Sequence, residues 1–142
     1  MQYLYQKEFD SLSLTNCPPS HYEIKFIQQA FRWVYDEMED VRNFIPVYFK
    51  NPKRFLGKNE KTLCSSLALL LFESEEDAQN RFNELRKVYP DTAYDTFGTN
   101  IAVGTITEKD GSNSESDEKG HFSHHPVVNS DYNKQFKIIK KL

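Results

Sequence analysis

The chain has 142 residues, a formal net charge of −3 and a hydrophobic fraction of 38%, enough to bury one core and without the basic footprint of a nucleic-acid binder. Its longest apolar run, residues 67–72, is far too short to span a bilayer, and its first ten residues lack the apolar stretch of a secretory signal. Only two cysteines occur, Cys17 and Cys64. They do not form a metal-like doublet, so a reducing, cytoplasmic setting is expected.

Residues 1–19 carry scattered apolar positions and end in Pro18-Pro19, which reads as the boundary of an N-terminal extension. Residues 20–142 read as a single domain. Ser20-His21-Tyr22-Glu23 has the form of a capping box, which predicts a helix to about residue 30, then a strand over 31–35 and a short helix over 39–44. The apolar positions from Ile24 to Ile45 also suit one long helical stripe. Residues 46–60 read as a loop with aromatic anchors, and the Lys/Arg groups at 50–54 and 134–141 as solvated faces.

The centre of the chain is a strand–helix–strand unit. Residues 64–72 are apolar at alternating positions on both faces, as a doubly covered strand requires. Ser74 then caps a helix whose first turn holds Glu75, Glu76 and Asp77, at the positive end of its dipole. Ala78, Phe82 and Leu85 give that helix a buried face. Residues 99–107 alternate as a second strand, and 108–120 read as an exposed polar loop. Residues 136–140 form a lysine-guarded edge strand. The expected fold is α+β, with a small mixed sheet and helices packed on it. Eleven Phe and eight Tyr make its core an aromatic one.

Chemistry is concentrated in few places. Three of the four histidines lie within five residues, His121, His124 and His125, next to Asp117 and Glu118. Imidazole and carboxylate are metal ligands, so Asp117, His121 and His124 are the candidate metal set. A histidine there could equally serve as acid or base, or simply bond to backbone. Arg32, inside an aromatic strand, either lies along the surface or clamps an anion. Ser65 and Ser66 either satisfy local backbone or present hydroxyls to a cleft. No G-x-S-x-G, G-x-G-x-x-G or G-x-x-x-x-G-K-[ST] pattern is present, which removes support for a serine hydrolase, a dinucleotide fold or a P-loop.

Two resemblances stand on these residues. Phe31-Arg32, the segment from Cys64 to Ala78, Ile101-Ala102-Val103-Gly104 and Ser123-His124-His125 make a pattern that resembles an uncharacterised family of small bacterial proteins. The order of Arg32 and Ser65-Ser66 on successive elements is similar to ADP-ribosyltransferase-like folds. That likeness implies NAD as cofactor or substrate. At such a site Arg32 would clamp phosphate and Ser65 and Ser66 would orient the ribose, and the residues themselves suggest His124 or His125 for acid/base or hydrogen-bonding work. The late Glu-x-Glu of that family has no counterpart here. With no catalytic motif, the sequence favours a cytoplasmic binding or interaction module with no cofactor, its polar loop meeting a protein partner. The alternative is an enzyme acting on NAD or another nucleotide at Arg32, Ser65, Ser66, His124 and His125.

Overall fold

Strand β1 (Ile27–Val34) is the axis of the molecule, and its residues Ala30 to Val34 are all buried. Alternation sends Ala30 and Val34 to one face of the sheet and Phe31 and Trp33 to the other. A computed structural model describes residues 1–142. The helices are α1 (Gln6–Ser11), α2 (Val47–Lys50), α3 (Glu60–Ser66), α4 (Glu75–Val88), α5 (Ala93–Phe97) and α6 (Tyr132–Gln135). The remaining strands are β2 (Leu69–Phe72), β3 (Asn100–Ile106), β4 (Gly111–Asn113), β5 (His121–Pro126) and β6 (Phe136–Lys141). All six strands form one antiparallel sheet in the order β4-β5-β2-β1-β3-β6, and the fold is α+β.

The sheet has a core on each face. One joins Ala30, Val34, Leu69, Leu71, Ala102 and Phe136. The other joins Phe31, Trp33, Phe72 and Ile101 to Ala78 and Phe82 of α4. Ser74 Oγ accepts from Asp77 N at 3.0 Å, the expected cap. Trp33 Nε1 donates to the Ala78 carbonyl at 3.0 Å and its ring meets Phe82 edge-on at 5.8 Å. Phe82 is fully buried, so Phe82→Ala costs about 3–5 kcal/mol. Urea unfolding measures this as a lower midpoint, and an unchanged midpoint removes α4 from the core.

Several expectations are corrected. The helix expected from residue 20 does not form. Glu23 instead exchanges two backbone hydrogen bonds of 2.8 Å with Asn113, and this long-range pairing overrides the local capping pattern. Residues 39–44 form turns around the buried Asn43, whose amide donates to the carbonyls of Glu37 and Met38 while its Oδ1 accepts from Tyr35 N. The apolar run from residue 64 splits between the end of α3, capped by Asn59 Oδ1 on Thr62 N at 2.9 Å, and the short β2.

The polar segment 108–120 is not one exposed loop. Asp110, Ser112 and Asn113 are buried, and β4 pairs with β5 through Ser112 opposite His125. Gly111 sits at φ +147°, where a Cβ would collide with the His125 carbonyl, so β4 can lie this close only with glycine there. The first nineteen residues are not an extension either. Phe9 of α1 is buried, Leu4 N donates to the Pro126 carbonyl at 2.9 Å, and Cys17 forms a disulfide with Cys64. At the other end of the chain, β6 lies on the sheet edge with Lys137, Lys140 and Lys141 exposed.

Candidate functional site

Strands β1 and β2 share a single register pair, Phe31 with Phe72, and then diverge. The Arg32 side chain fills the gap they leave. Its Nε donates to the Asn43 carbonyl at 2.6 Å and its Nη1 to the Leu70 carbonyl of β2 at 2.9 Å, the latter an acceptor that a continuous ladder would otherwise use. The Phe44 ring lies under the guanidinium at 5.7 Å. Nη2 has no protein acceptor, and no carboxylate forms an ion pair with Arg32. Burial pulls this guanidinium down to about 10, with the hydroxyls of Tyr5, Tyr132 and Tyr35 acting in the opposite direction.

Arg32 lies on the wall of a cleft of about 560 Å³, within the range of small-molecule sites. Tyr89 and Phe97 supply ring surface there, over the buried Trp33 and Phe72. Five cationic side chains, Arg32, Lys50, Arg54, Arg81 and Lys119, line it against two carboxylates, Asp117 and Glu118. The chain as a whole carries −3, so the positive balance belongs to this cavity. Arg81 and Lys119 both reach Glu84, at 3.0 and 2.8 Å, whereas Lys50 and Arg54 have no carboxylate partner. Partial desolvation, then the charges of Arg32 and Arg42, hold the Lys50 ammonium down to about 8, although much of its side chain is exposed.

His121 stands at the same cleft with Nδ1 2.6 Å from Asp117 Oδ2. Burial works against the Asp117 carboxylate. Hydrogen bonds from the His121 ring and from the backbone of His121 and Lys119 outweigh it and hold Asp117 below the usual carboxylate range.

The other expected site residues lie elsewhere. His124 is fully buried, with Nδ1 2.7 Å from Asn113 Oδ1 and Nε2 2.7 Å from the Tyr132 hydroxyl. Both ring nitrogens are occupied and the imidazole is sealed in the core. His125 packs against Phe9 and Tyr22, and its Nε2 lies 3.6 Å from Cys64 Sγ. Ser66 Oγ donates to the Leu63 carbonyl at 2.6 Å, a local role. Ser65 is exposed at a second cavity of about 530 Å³ that it shares with His21, Glu60 and Cys64. Arg32, Ser65, Ser66, His124 and His125 therefore do not line one concavity. The metal set of Asp117, His121 and His124 also separates, because residues three apart on a strand face opposite sides. Comparison with family models, curated proteins and solved structures finds no match to this chain.

Lys50 and Arg54 were missed as site residues because short basic groups usually face solvent. The available signal was their position among Tyr48, Phe49 and Phe55, aromatics that anchor the segment to the body. The expectation of free thiols fails as well: Cys17 and Cys64 are bonded across a separation of 47 residues. No helix is long and apolar enough to cross a membrane.

Proposed function

We propose that the chain is a binding module whose cleft takes a phosphorylated ligand bearing a planar ring, the chemistry of a nucleotide. The observation that carries this is Arg32: a buried guanidinium, two of its nitrogens fixed by carbonyls, the third without an acceptor, and no counter-charge. Its Nη2 is not among the side-chain atoms buried without a partner, so it is open to solvent at the cleft wall, where a phosphate oxygen accepts from it in a charge-assisted hydrogen bond. Lys50 and Arg54 extend the anion site, and Tyr89 and Phe97, the more exposed aromatics of its wall, offer faces to a ring. The polar segment 108–120 supplies less free surface for a protein partner than its composition suggests, since part of it is the buried β4.

Titration calorimetry with AMP, ADP, NAD and inorganic phosphate tests this. The nucleotides bind more tightly than phosphate alone, and affinity falls with added salt. Lys50→Ala with Arg54→Ala, both at exposed positions, weakens binding by about 10–100-fold, equivalent to roughly 1.4–2.8 kcal/mol, as does Arg32→Met. Affinity declines as the pH rises through about 8, because Lys50 then has to gain a proton to meet the anion. If none of these anions binds, the reading is wrong.

One observation favours a second reading, an enzyme acting on such a ligand. The Asp117–His121 pair leaves Nε2 without a protein partner at the cleft that holds the cations, which is the arrangement of an oriented general base. Chromatography of NAD and ADP after incubation reads it directly: product that disappears in His121→Gln while binding persists supports the enzyme.

A further inference from the structure

We propose that Cys17, Cys64 and His125 form a redox-gated metal site, a staple when oxidised and a zinc-binding Cys₂His set when reduced. The donor atoms of these three residues lie within 4.8 Å of one another. Tetrahedral zinc with ordinary Zn–S and Zn–N bonds sets its sulfur and nitrogen ligands about 3.6 Å apart. Cys64 Sγ and His125 Nε2 already stand at 3.6 Å. The two sulfurs would have to part to about 3.8 Å by the same geometry. The Cα separation of 5.6 Å accommodates this by side-chain rotation at Cys17, the less buried of the pair.

The surroundings carry a second, independent mark. Three buried side-chain polar atoms in the whole molecule lack a hydrogen-bond partner, and two of them are His125 Nδ1 and Ser112 Oγ. Ser112 is the register partner of His125 across β4 and β5. A metal-bound imidazole ordinarily donates its other N–H to a nearby oxygen; the Ser112 hydroxyl lies on the same face of the ladder, and neither atom bonds the other in the disulfide-bonded chain. The imidazole is also kept neutral by burial, the protonation state that binds metal. Cys64 lies on the wall of the second cavity with His21 and Glu60, which leaves room for water as a fourth ligand, as three-ligand zinc sites require.

The chemistry balances simply. A phosphine or dithiol reductant gives two electrons to the sulfur–sulfur bond and is itself oxidised. Cys17 and Cys64 each take up a proton, and the incoming Zn²⁺ displaces both as the two thiolates bind. This inference does not depend on the nucleotide cleft, so either can fail alone.

The test uses the full chain, reduced with a phosphine, freed of metal, and titrated with Zn²⁺ against a chromophoric competitor. The reduced chain takes up one equivalent and the disulfide-bonded chain takes up none. His125→Asn lowers the affinity by more than about 100-fold, beyond what loss of an outer-shell partner alone brings. Should the substituted chain misfold, Co²⁺ added to the reduced wild type gives the same information through its spectrum: thiolate charge transfer with tetrahedral d–d bands supports the site. No uptake by the reduced chain overturns the proposal, equal uptake by both forms overturns the gating, and unchanged affinity in a folded His125→Asn removes the histidine.

Discussion

Lowering the pH from 7 to 5 destabilises the disulfide-bonded protein by about 4 kcal/mol. Burial depresses His124 to about 4 and His125 to about 3, against an unfolded value near 6.5. Asp110 raises His124 and Arg32 lowers it, while His124 lowers His125 further. Between these values and 6.5 the unfolded chain binds protons that the folded chain refuses. Stability is therefore full above about pH 6.5 and is lost as the pH falls, at about 2 kcal/mol per histidine by pH 5. Urea unfolding at a series of pH values measures the slope. His124→Asn, checked for native near-ultraviolet dichroism at pH 7, removes about half of it. A stability independent of pH over this range contradicts the buried neutral pair.

Reduction of the Cys17–Cys64 bond in the absence of metal is the second large effect. The bond spans 47 residues, and the chain-entropy cost of such a loop in the unfolded state is about 4 kcal/mol. For a chain of this size the melting temperature falls by roughly 10–15 °C. Calorimetry with and without reductant reads the difference, and the Cys17→Ser variant melts with the reduced form. Zn²⁺ restores part of the loss only in the reduced wild type if Cys17, Cys64 and His125 bind it. Identical melting of oxidised and reduced protein would mean that the first nineteen residues are held by packing alone.

What could be read in advance depended on how local each feature's cause is. Helix α4 is legible because its cap at Ser74, its acidic first turn and its Ala78–Phe82 stripe all lie within one segment. β3 is legible because Ile101 and Val103 alternate with small residues. The start of β1 is not, because Ser20–Glu23 offers a helix cap and only the distant Asn113 makes that stretch pair as strand. The apolar run from Cys64 is buried on every side, so periodicity alone could not place the break between α3 and β2. In the site, Arg32 stood out as an arginine among strand-forming aromatics. Lys50 and Arg54 did not, and His121 stood out only as a metal ligand beside His124, since nothing along the chain announces that these residues share a cleft with Arg32. Strand parity alone would have separated His121 from His124 and His124 from His125, had residues 121–126 been read as strand rather than as the end of a loop.

The single register pair between β1 and β2 has a mechanical meaning. The leaf β4-β5-β2 and the leaf β1-β3-β6 are each stitched by several cross-strand pairs, while the line between them carries Phe31 opposite Phe72 and the bond from Arg32 to Leu70. Compliance in such a sheet is concentrated along that line, because bonds that share a load in parallel yield less than one that bears it alone. That line runs beside the cationic cleft, and a ligand seated on Arg32 would splint it.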